Sequence, residues 1–329
     1  MNLLLPILAV VAGFTLLVWG ADRFVTGAAA TARNLGVSPL IIGLTIVGFG
    51  TSAPEMLVSG VAAWQGNPGL AIGNAIGSNI TNIGLILGTT ALVAPLTVSS
   101  ITLRREMPLL LAVMALSWWL LSDGELGQGD GLLLLGGIVL LVLWMVHLGM
   151  NSRARNHDPL IDEFTEEIPV GMSTPVALGW LLAGLLVLLV SSRILVWGAV
   201  QLAQFFGVSD LVIGLTIVAL GTSLPELAAS VMSALKGEPD IALGNVIGSN
   251  LFNLLGVLGI PGLFAVVPVE PAVLSRDYPM MLGLTLALLL MSWNYRGTRR
   301  INRIEGLLLV LAYLAYEGLL YYGSISNPT

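Results

Sequence analysis

The sequence predicts an all-α polytopic membrane protein with ten transmembrane helices, arranged as two inverted five-helix repeats. The first observation behind this prediction is the composition. The 329 residues are 56% hydrophobic and only 10% charged, with a mean hydropathy of +0.92, which is too apolar for a chain whose surface faces water. The second observation is an internal repeat. Residues 36–82 recur as residues 207–253 at a constant offset of 171, and 27 of the 47 aligned positions are identical.

The apolar stretches are long enough to be bilayer helices, which need about 20 mostly apolar residues each. The first stretch lacks the basic start of a signal peptide and continues well past the length of a signal peptide's apolar core, so we keep it as a helix. The ten predicted spans are residues 3–30, 36–63, 70–95, 106–122, 130–150, 174–200, 207–235, 241–265, 278–294 and 303–323.

The repeat divides the chain into two halves. Residues 103–108 also match residues 274–279 at the offset of 171, so each half is one copy of five spans. Because five is an odd number, the second copy enters the membrane from the opposite side, which makes the halves inverted repeats. We predict a first repeat at 1–150, a cytoplasmic linker at 151–173 and a second repeat at 174–329.

Orientation follows from lysine and arginine, which accumulate in cytoplasmic loops. The opposite face carries only Arg276, near the end of a span. The positive-inside rule therefore places both termini outside. The loops after spans 1, 3, 5, 7 and 9 contain ten basic residues, namely Arg33, Arg104, Arg105, Arg153, Arg155, Lys236, Arg296, Arg299, Arg300 and Arg303.

Several function classes are disfavoured. The chain has no cysteine, which excludes disulfides, thiolate metal sites and cysteine nucleophiles. An intramembrane hydrolase would need a His-Glu-x-x-His motif, a Ser/His pair or an aspartyl dyad within the spans, and none is present. An ion-binding scaffold without turnover is disfavoured because inverted repeats serve alternating access. We therefore expect a secondary transporter and not an enzyme.

Polar residues recur every four positions on four of the predicted helices, so each set forms a stripe on one helical face. Ser59 and Ser230, taken alone, fit interhelical hydrogen bonding equally well. The stripes are Thr51, Glu55 and Ser59; Asn74, Ser78 and Asn82; Thr222, Glu226 and Ser230; and Asn245, Ser249 and Asn253.

A proline interrupts each glutamate-bearing span. Pro54 and Pro225 remove a backbone donor and clash with the carbonyl four residues earlier, at Gly50 and Gly221. The spans should therefore break at bilayer depth, which is tolerated only where the freed carbonyls line a cavity or bind something. A broken helix beside a lone carboxylate is typical of a transporter ion site.

The two glutamates point to cation binding. A carboxylate within a span costs about 2.5 kcal/mol or more, which disfavours a merely structural role for both Glu55 and Glu226. A divalent cation, two monovalent cations or two protons would each neutralise the pair. Oxygen ligands without Cys or His favour hard cations, and Ca²⁺ accepts such a set more readily than Mg²⁺.

These motifs resemble the sodium/calcium exchanger family of the Ca²⁺:cation antiporter superfamily, in its short prokaryotic form. The first family repeat is matched by Gly-Thr-Ser-Ala-Pro-Glu at 50–55 with Gly-Asn-x-x-Gly-Ser-Asn at 73–79. The second is matched by Gly-Thr-Ser-Leu-Pro-Glu at 221–226 with Gly-Asn-x-x-Gly-Ser-Asn at 244–250. The resemblance covers the whole chain through its ten-span topology.

The resemblance implies that spans 1 and 6 slide across the other eight to alternate access. It also implies a set of ion ligands. These are Glu55, Glu226, Thr51, Thr222, Ser52, Ser223, Ser78, Ser249, Asn82 and Asn253.

One departure from the family concerns the coupling ion. Some members have an aspartate where this chain has Asn253, so only two central carboxylates remain here and the Na⁺ stoichiometry stays open. We expect a Ca²⁺/Na⁺ antiporter with its ion site at the midplane between the repeats; the alternative is H⁺-coupled exchange of Ca²⁺ or another divalent cation such as Mn²⁺. We further expect a multi-pass protein of the cytoplasmic membrane that contacts the lipid bilayer, works as a monomer and needs no cofactor or nucleic-acid partner.

Overall fold

The computed structural model describes residues 3–36, 42–66, 68–98, 100–152, 172–206, 219–293 and 299–326. Most of the predicted linker at 151–173 and the first part of the predicted span at 207–235 lie outside these residues.

The described chain is mostly helical. In chain order the α-helices are α1 (Leu4–Leu35), α2 (Gly48–Thr51), α3 (Ala53–Trp64), α4 (Pro68–Thr81), α5 (Gly88–Val93), α6 (Ser100–Leu121), α7 (Gln128–Ser152), α8 (Thr174–Phe205), α9 (Ala219–Thr222), α10 (Leu224–Leu235), α11 (Pro239–Phe252), α12 (Gly259–Phe264), α13 (Tyr278–Ser292) and α14 (Arg303–Ser326). Four π-helical turns join or precede some of them, at Gly43–Val47, Asn82–Leu87, Asn253–Val257 and Val273–Asp277.

Two short antiparallel ladders depart from the all-helical prediction. Strand β1 (Leu96–Val98) pairs with β4 (Arg299–Ile301), and β2 (Glu125–Leu126) pairs with β3 (Val267–Pro268). Strands of two or three residues are too short to show the alternating pattern by which a strand is predicted from sequence.

In the described parts of the chain, seven helices are long and apolar enough to cross a bilayer, and each coincides with a predicted span. The pair Gly43–Thr51 and Ala53–Trp64, bent by 46° at Ser52, brings the number to eight when it is counted as one span. The chain is therefore a multi-pass membrane protein. The seven are Leu4–Leu35, Gly69–Val93, Gln128–Met145, Thr174–Leu202, Pro239–Phe264, Val273–Ser292 and Arg303–Tyr322.

Two of the ten predicted spans are not among these eight. The prediction at 106–122 falls on α6 (Ser100–Leu121), which is not among the candidate spans. The prediction at 207–235 is described only from residue 219, and its apolar helix Leu224–Leu235 is short.

The chain forms two compact units. The first contains residues 1–54 and 144–245, and the second contains residues 55–143 and 246–329. Each unit therefore combines segments from both copies of the sequence repeat.

The core of the first unit is the packing of α1 on α8. Glycines on α1 let the two backbones approach closely, since a β-carbon at Gly13 would lie 2.8 Å from the amide nitrogen of Leu195. Gly27 meets Leu181 in the same way. Because contacts move toward lower numbers on α8 as they move toward higher numbers on α1, the two helices are antiparallel.

The core of the second unit includes α4, the π turn that follows it, and α14. The isoleucines Ile72, Ile76 and Ile80 are fully buried along α4. Further along the chain, Gly88 and Gly306 let α5 and α14 come into backbone contact. This packing fixes the position of the helix that carries one of the predicted polar stripes.

Candidate functional site

Both Gly-Thr-Ser motifs end one helix and start the next at the serine. Ser52 separates α2 from α3 with φ −81° and ψ 1°, and Ser223 separates α9 from α10 with φ −92° and ψ 4°. Pro54 and Pro225 follow in the first turns of α3 and α10, where a missing N–H costs no helical hydrogen bond. The two copies therefore break at equivalent residues.

One carbonyl freed by a proline has a new donor. Pro225 cannot donate to the carbonyl of Gly221, and the Ser192 hydroxyl donates to that oxygen instead, at 2.8 Å. The equivalent of Ser192 in the first copy is Ala21, which has no hydroxyl to offer Gly50. The two breaks therefore differ in how their carbonyls are satisfied.

In the first unit, residues of both copies meet around Glu226, which is only 1% exposed. The Ser52 hydroxyl donates to Glu226 Oε1 at 3.3 Å, and the Thr51 hydroxyl donates to Asn245 Oδ1 at 3.0 Å. The amide nitrogen of Asn245 donates to the Glu226 carbonyl at 3.2 Å and to the Ser230 hydroxyl at 2.9 Å. Asn245, on α11, thus holds α10 in place next to the Glu226 carboxylate.

In the second unit, Glu55 is equally buried and has the equivalent support. The amide nitrogen of Asn74 donates to the Glu55 carbonyl at 3.1 Å and to the Ser59 hydroxyl at 3.3 Å. These are the Asn245 contacts repeated at the offset of 171. The second and third members of each glutamate stripe are thus tied to the first asparagine of the neighbouring stripe.

Four asparagines in the second unit form two reciprocal pairs, which we call the asparagine quartet: Asn79, Asn82, Asn250 and Asn253. The amide nitrogen of Asn82 donates to Asn250 Oδ1 at 3.0 Å, and that of Asn253 donates to Asn79 Oδ1 at 3.2 Å. All four side chains are buried. Since the offset of 171 relates 79 to 250 and 82 to 253, each pair is the symmetry mate of the other.

The quartet leaves two oxygens unsatisfied. The Oδ1 atoms of Asn82 and Asn253 are buried and accept no hydrogen bond from the described residues. Both asparagines open a π turn, Asn82–Leu87 and Asn253–Val257. Such turns are frequent at functional sites, and a buried acceptor without a donor needs an explanation such as a bound ion.

The remaining predicted ligands lie on the same elements. Ser78 and Ser249 are buried on α4 and α11, four residues before Asn82 and Asn253 and therefore on the same helical faces. Thr222 and Ser223 form the second helix break, where Ser223 is buried. The structure places Thr51, Ser52, Thr222, Ser223 and Glu226 in the first unit, and Glu55, Ser78, Ser249, Asn82 and Asn253 in the second.

The roles of Asn79 and Asn250 were not predicted from the sequence, although both residues belong to the Gly-Asn-x-x-Gly-Ser-Asn motifs. Their spacing of three residues before Asn82 and Asn253 was the available signal, because residues three apart share a helical face. Ser192 was also missed. Its only signal was that it is polar within an apolar span.

Glu238 is a buried carboxylate outside the polar stripes, in the turn before α11. Burial raises the pKa of Glu238 to about 7, the nearby Asp240 carboxylate adds to the rise, and Arg33 opposes it. This residue provides a reference for Glu226, since both carboxylates are buried in the first unit.

The polar groups buried in each unit are carboxylate, hydroxyl and amide oxygens, which are ligands for hard cations such as Na⁺ and Ca²⁺. One known family accounts for them. The sequence model of the family described as sodium/calcium exchanger protein matches residues 5–151 and 176–322. The chain belongs to the sodium/calcium exchanger family. Each of the two matched stretches contains one glutamate stripe and one asparagine stripe.

Relatives in the exchanger family match over nearly the full length. CaxA of Alkalimonas amylolytica is 52% identical over 97% of this chain and 99% of its own length. The sodium/calcium exchanger MaX1 of Methanosarcina acetivorans is 32% identical over 94% of this chain and 97% of its own. The solved structure of the sodium-calcium exchanger NCX_Mj, soaked with Na⁺ and Ca²⁺, matches with a TM-score of 0.81 and 34% identity, over 95% of this chain and 97% of that one.

Proposed function

We propose that this member of the exchanger family is a secondary antiporter that exports Ca²⁺ in exchange for Na⁺ across the cytoplasmic membrane by alternating access. The observation that carries the proposal is the pair of buried amide oxygens on Asn82 and Asn253, which have no donor among the described residues. Leaving a buried acceptor unsatisfied costs about 1–3 kcal/mol, and a desolvated cation would recover that cost.

The proposed ligands have distinct roles. Glu55 and Glu226 neutralise the positive charge, and their burial makes a bound cation or proton necessary. Amide and hydroxyl oxygens complete the coordination without adding repulsive charge. The neutral ligands are Thr51, Ser52, Thr222, Ser223, Ser78, Ser249, Asn82 and Asn253.

A second candidate is H⁺-coupled exchange of Ca²⁺ or of another divalent cation such as Mn²⁺. It is favoured by the neutral asparagines at both 82 and 253, which leave Glu55 and Glu226 as the two central carboxylates. Two carboxylates can bind one divalent cation or two protons in turn. The names of MaX1 and NCX_Mj support Na⁺ as the first choice.

The deciding experiment is uptake of radiolabelled Ca²⁺ into proteoliposomes under an outward Na⁺ gradient or a proton gradient of equal size. We expect uptake with Na⁺ only. Uptake with protons only would establish the second candidate. If no Ca²⁺ uptake occurs under either gradient, Ca²⁺ is excluded as the substrate, and Mn²⁺ is the next ion to test.

Variants then test the carboxylates. Glu55→Gln and Glu226→Gln should each lower Ca²⁺ uptake at least about 100-fold, because the site can no longer balance the charge of a divalent ion. Glu238→Gln is the matched control, since it removes a buried carboxylate outside the stripes and should transport within about two-fold of the native chain. Native uptake by both stripe variants would overturn the site assignment.

We also propose the ten-span inverted topology, with repeats at 1–150 and 174–329 and both termini outside, for a chain that works as a monomer without a cofactor. The chain has no cysteine, so any introduced cysteine is the single thiol in the protein. In intact cells, an impermeant maleimide should label Asn2→Cys and Thr329→Cys but not Asn156→Cys in the linker. If only the linker position is labelled, the orientation of the chain in the membrane is the opposite of the proposed one.

A further inference from the structure

Helix α1 packs on α10 within the first unit. Phe24 and Ala28 of α1 belong to the same buried cluster as Ala229 of α10, and Met232 of α10 packs against that cluster. Ala229 is fully buried as a result. This contact joins a helix from the first copy of the repeat to a helix from the second copy.

Lys236, which directly follows α10, connects the same two helices through polar contacts. Its Nζ atom lies 2.7 Å from Asp22 Oδ1 and donates a hydrogen bond to the Thr26 hydroxyl at 3.1 Å. Asp22 and Thr26 both belong to α1, and the Lys236 and Asp22 side chains are 31% and 35% exposed. Because solvent screens a partly buried ion pair less than an exposed one, this pair can help to keep α10 on α1.

The repeat offset of 171 identifies the residues at the equivalent end of the molecule. The equivalents of Asp22, Thr26 and Lys236 are, in that order, Arg193, Trp197 and Gln65. An arginine, a tryptophan and a glutamine cannot form an ion pair with one another. The sequence therefore allows the ion pair at only one of two equivalent ends.

The two copies also differ in where their equivalent helices belong. Helix α10 is part of the unit that contains α1 and α8, whereas residues 55–64 of its equivalent, α3, are part of the other unit. Met232 packs against the buried cluster, but its equivalent Val61 is 53% exposed. Inverted repeats are related by a twofold axis in the membrane plane, so exchanging the roles of the copies converts a conformer open to one side into one open to the other.

We propose that Lys236 is a positioning residue that selects between the two conformers of alternating access, an inference that rests on the proposed transport mechanism. Its ion pair with Asp22 forms only while α10 packs on α1. In the exchanged conformer the equivalent positions hold Arg193 and Gln65, which offer no such pair. The ion pair therefore raises the population of the conformer described here, and its loss shifts population to the other.

The test uses cysteine modification, because the chain has no cysteine of its own. Ala229→Cys places a thiol where α1 covers α10, so its rate of reaction with a maleimide in purified protein without Na⁺ or Ca²⁺ reports the population of the exchanged conformer. Lys236→Gln and Asp22→Asn should each raise that rate about three- to five-fold, as expected for a partly exposed ion pair. Val58→Cys, the equivalent reporter on α3, should react more slowly in the same variants.

Two double variants separate the ion pair from packing. Asp22→Lys with Lys236→Asp restores the pair with reversed charges and should return the Ala229→Cys rate to within about two-fold of the native background. Arg193→Asp with Gln65→Lys creates the pair at the equivalent end and should raise the rate. Arg193→Gln alone is the matched control, because it changes a charge at that end without creating a pair, and should leave the rate within about two-fold.

Three outcomes would overturn the proposal. The first is a native labelling rate in both Lys236→Gln and Asp22→Asn. The second is a raised rate that the charge-reversed double variant does not lower, because the effect would then come from lost packing. The third is an equal rise at Ala229→Cys and Val58→Cys, which would indicate general loosening. The measurement contains no transported ion, so a result against Ca²⁺ as the cargo leaves this test intact.

Discussion

Two sets of buried asparagines use their amides in different ways. In the first unit, Asn245 donates twice and accepts from Thr51, so every polar atom of its amide has a partner within the protein. In the second unit, Asn82 and Asn253 donate from nitrogen but keep a buried oxygen without a donor. The residue type and the helical spacing are the same in both sets.

We propose that this difference separates asparagines that hold the scaffold from asparagines that bind an ion. An amide whose atoms are all used within the protein fixes the distance between two helices and has no capacity left for an ion. An amide with its oxygen free can coordinate a cation while its nitrogen keeps the side chain oriented. Asn79 and Asn250 provide that orientation, since the Oδ1 atom of each accepts a hydrogen bond from the amide nitrogen of a candidate ligand.

The largest effect on stability should come from the scaffold asparagine. Asn245→Ala removes three hydrogen bonds and leaves buried partners on α2 and α10, so we expect a loss of about 2–3 kcal/mol in the free energy of unfolding. Thermal unfolding in detergent would measure it. The rise in unfolding temperature on adding Ca²⁺ should keep its native size, and loss of that rise would place Asn245 among the ligands.

A smaller effect, on binding, should come from the quartet. Asn253→Ala removes an oxygen that has no other partner in the described part of the chain, so the apparent affinity for Ca²⁺ should fall about ten-fold, or about 1.4 kcal/mol. Asn82→Ala should behave alike because the two are symmetry mates. The Ca²⁺-dependent rise in unfolding temperature reports this directly. A native rise in both variants would mean that the quartet only packs helices.

The smallest effect should come from the helix break. Ser192→Ala leaves the Gly221 carbonyl without its donor and should cost about 1 kcal/mol in unfolding free energy. Ser191→Ala is the matched control, because the Ser191 hydroxyl donates only to the local Leu188 carbonyl and its loss should cost less than about 0.5 kcal/mol. If the two variants lose the same unfolding free energy, the Gly221 carbonyl needs no hydrogen-bond donor.

Much of the fold could be predicted from the sequence because long apolar runs leave few alternatives in a bilayer. The seven long spans and the break at Ser52 occur where hydropathy and Pro54 place them. The π turns could not be predicted, since one extra residue in a helical turn does not change its apolar composition. The two compact units could not be predicted either, because they combine segments from both copies.

The candidate site could be predicted at the level of stripes. The offset of 171 identified both glutamates and their neighbouring oxygens, and the ligand assignment of Asn82 and Asn253 stays a prediction. The sequence did not separate Asn245 from Asn253, because partner atoms on other helices decide which amide oxygen receives a donor. Asn79 was missed for the same reason.

The π turns at Asn82–Leu87 and Asn253–Val257 also carry information about the history of the gene. They begin at positions related by the repeat offset, and residues 36–82 align with 207–253 without a gap. The simplest history is that the inserted residue was present in the ancestral segment before duplication. The π turn that begins at each of these asparagines would then be older than the two-repeat chain. The ancestral segment would have needed a second, oppositely inserted copy to complete the quartet.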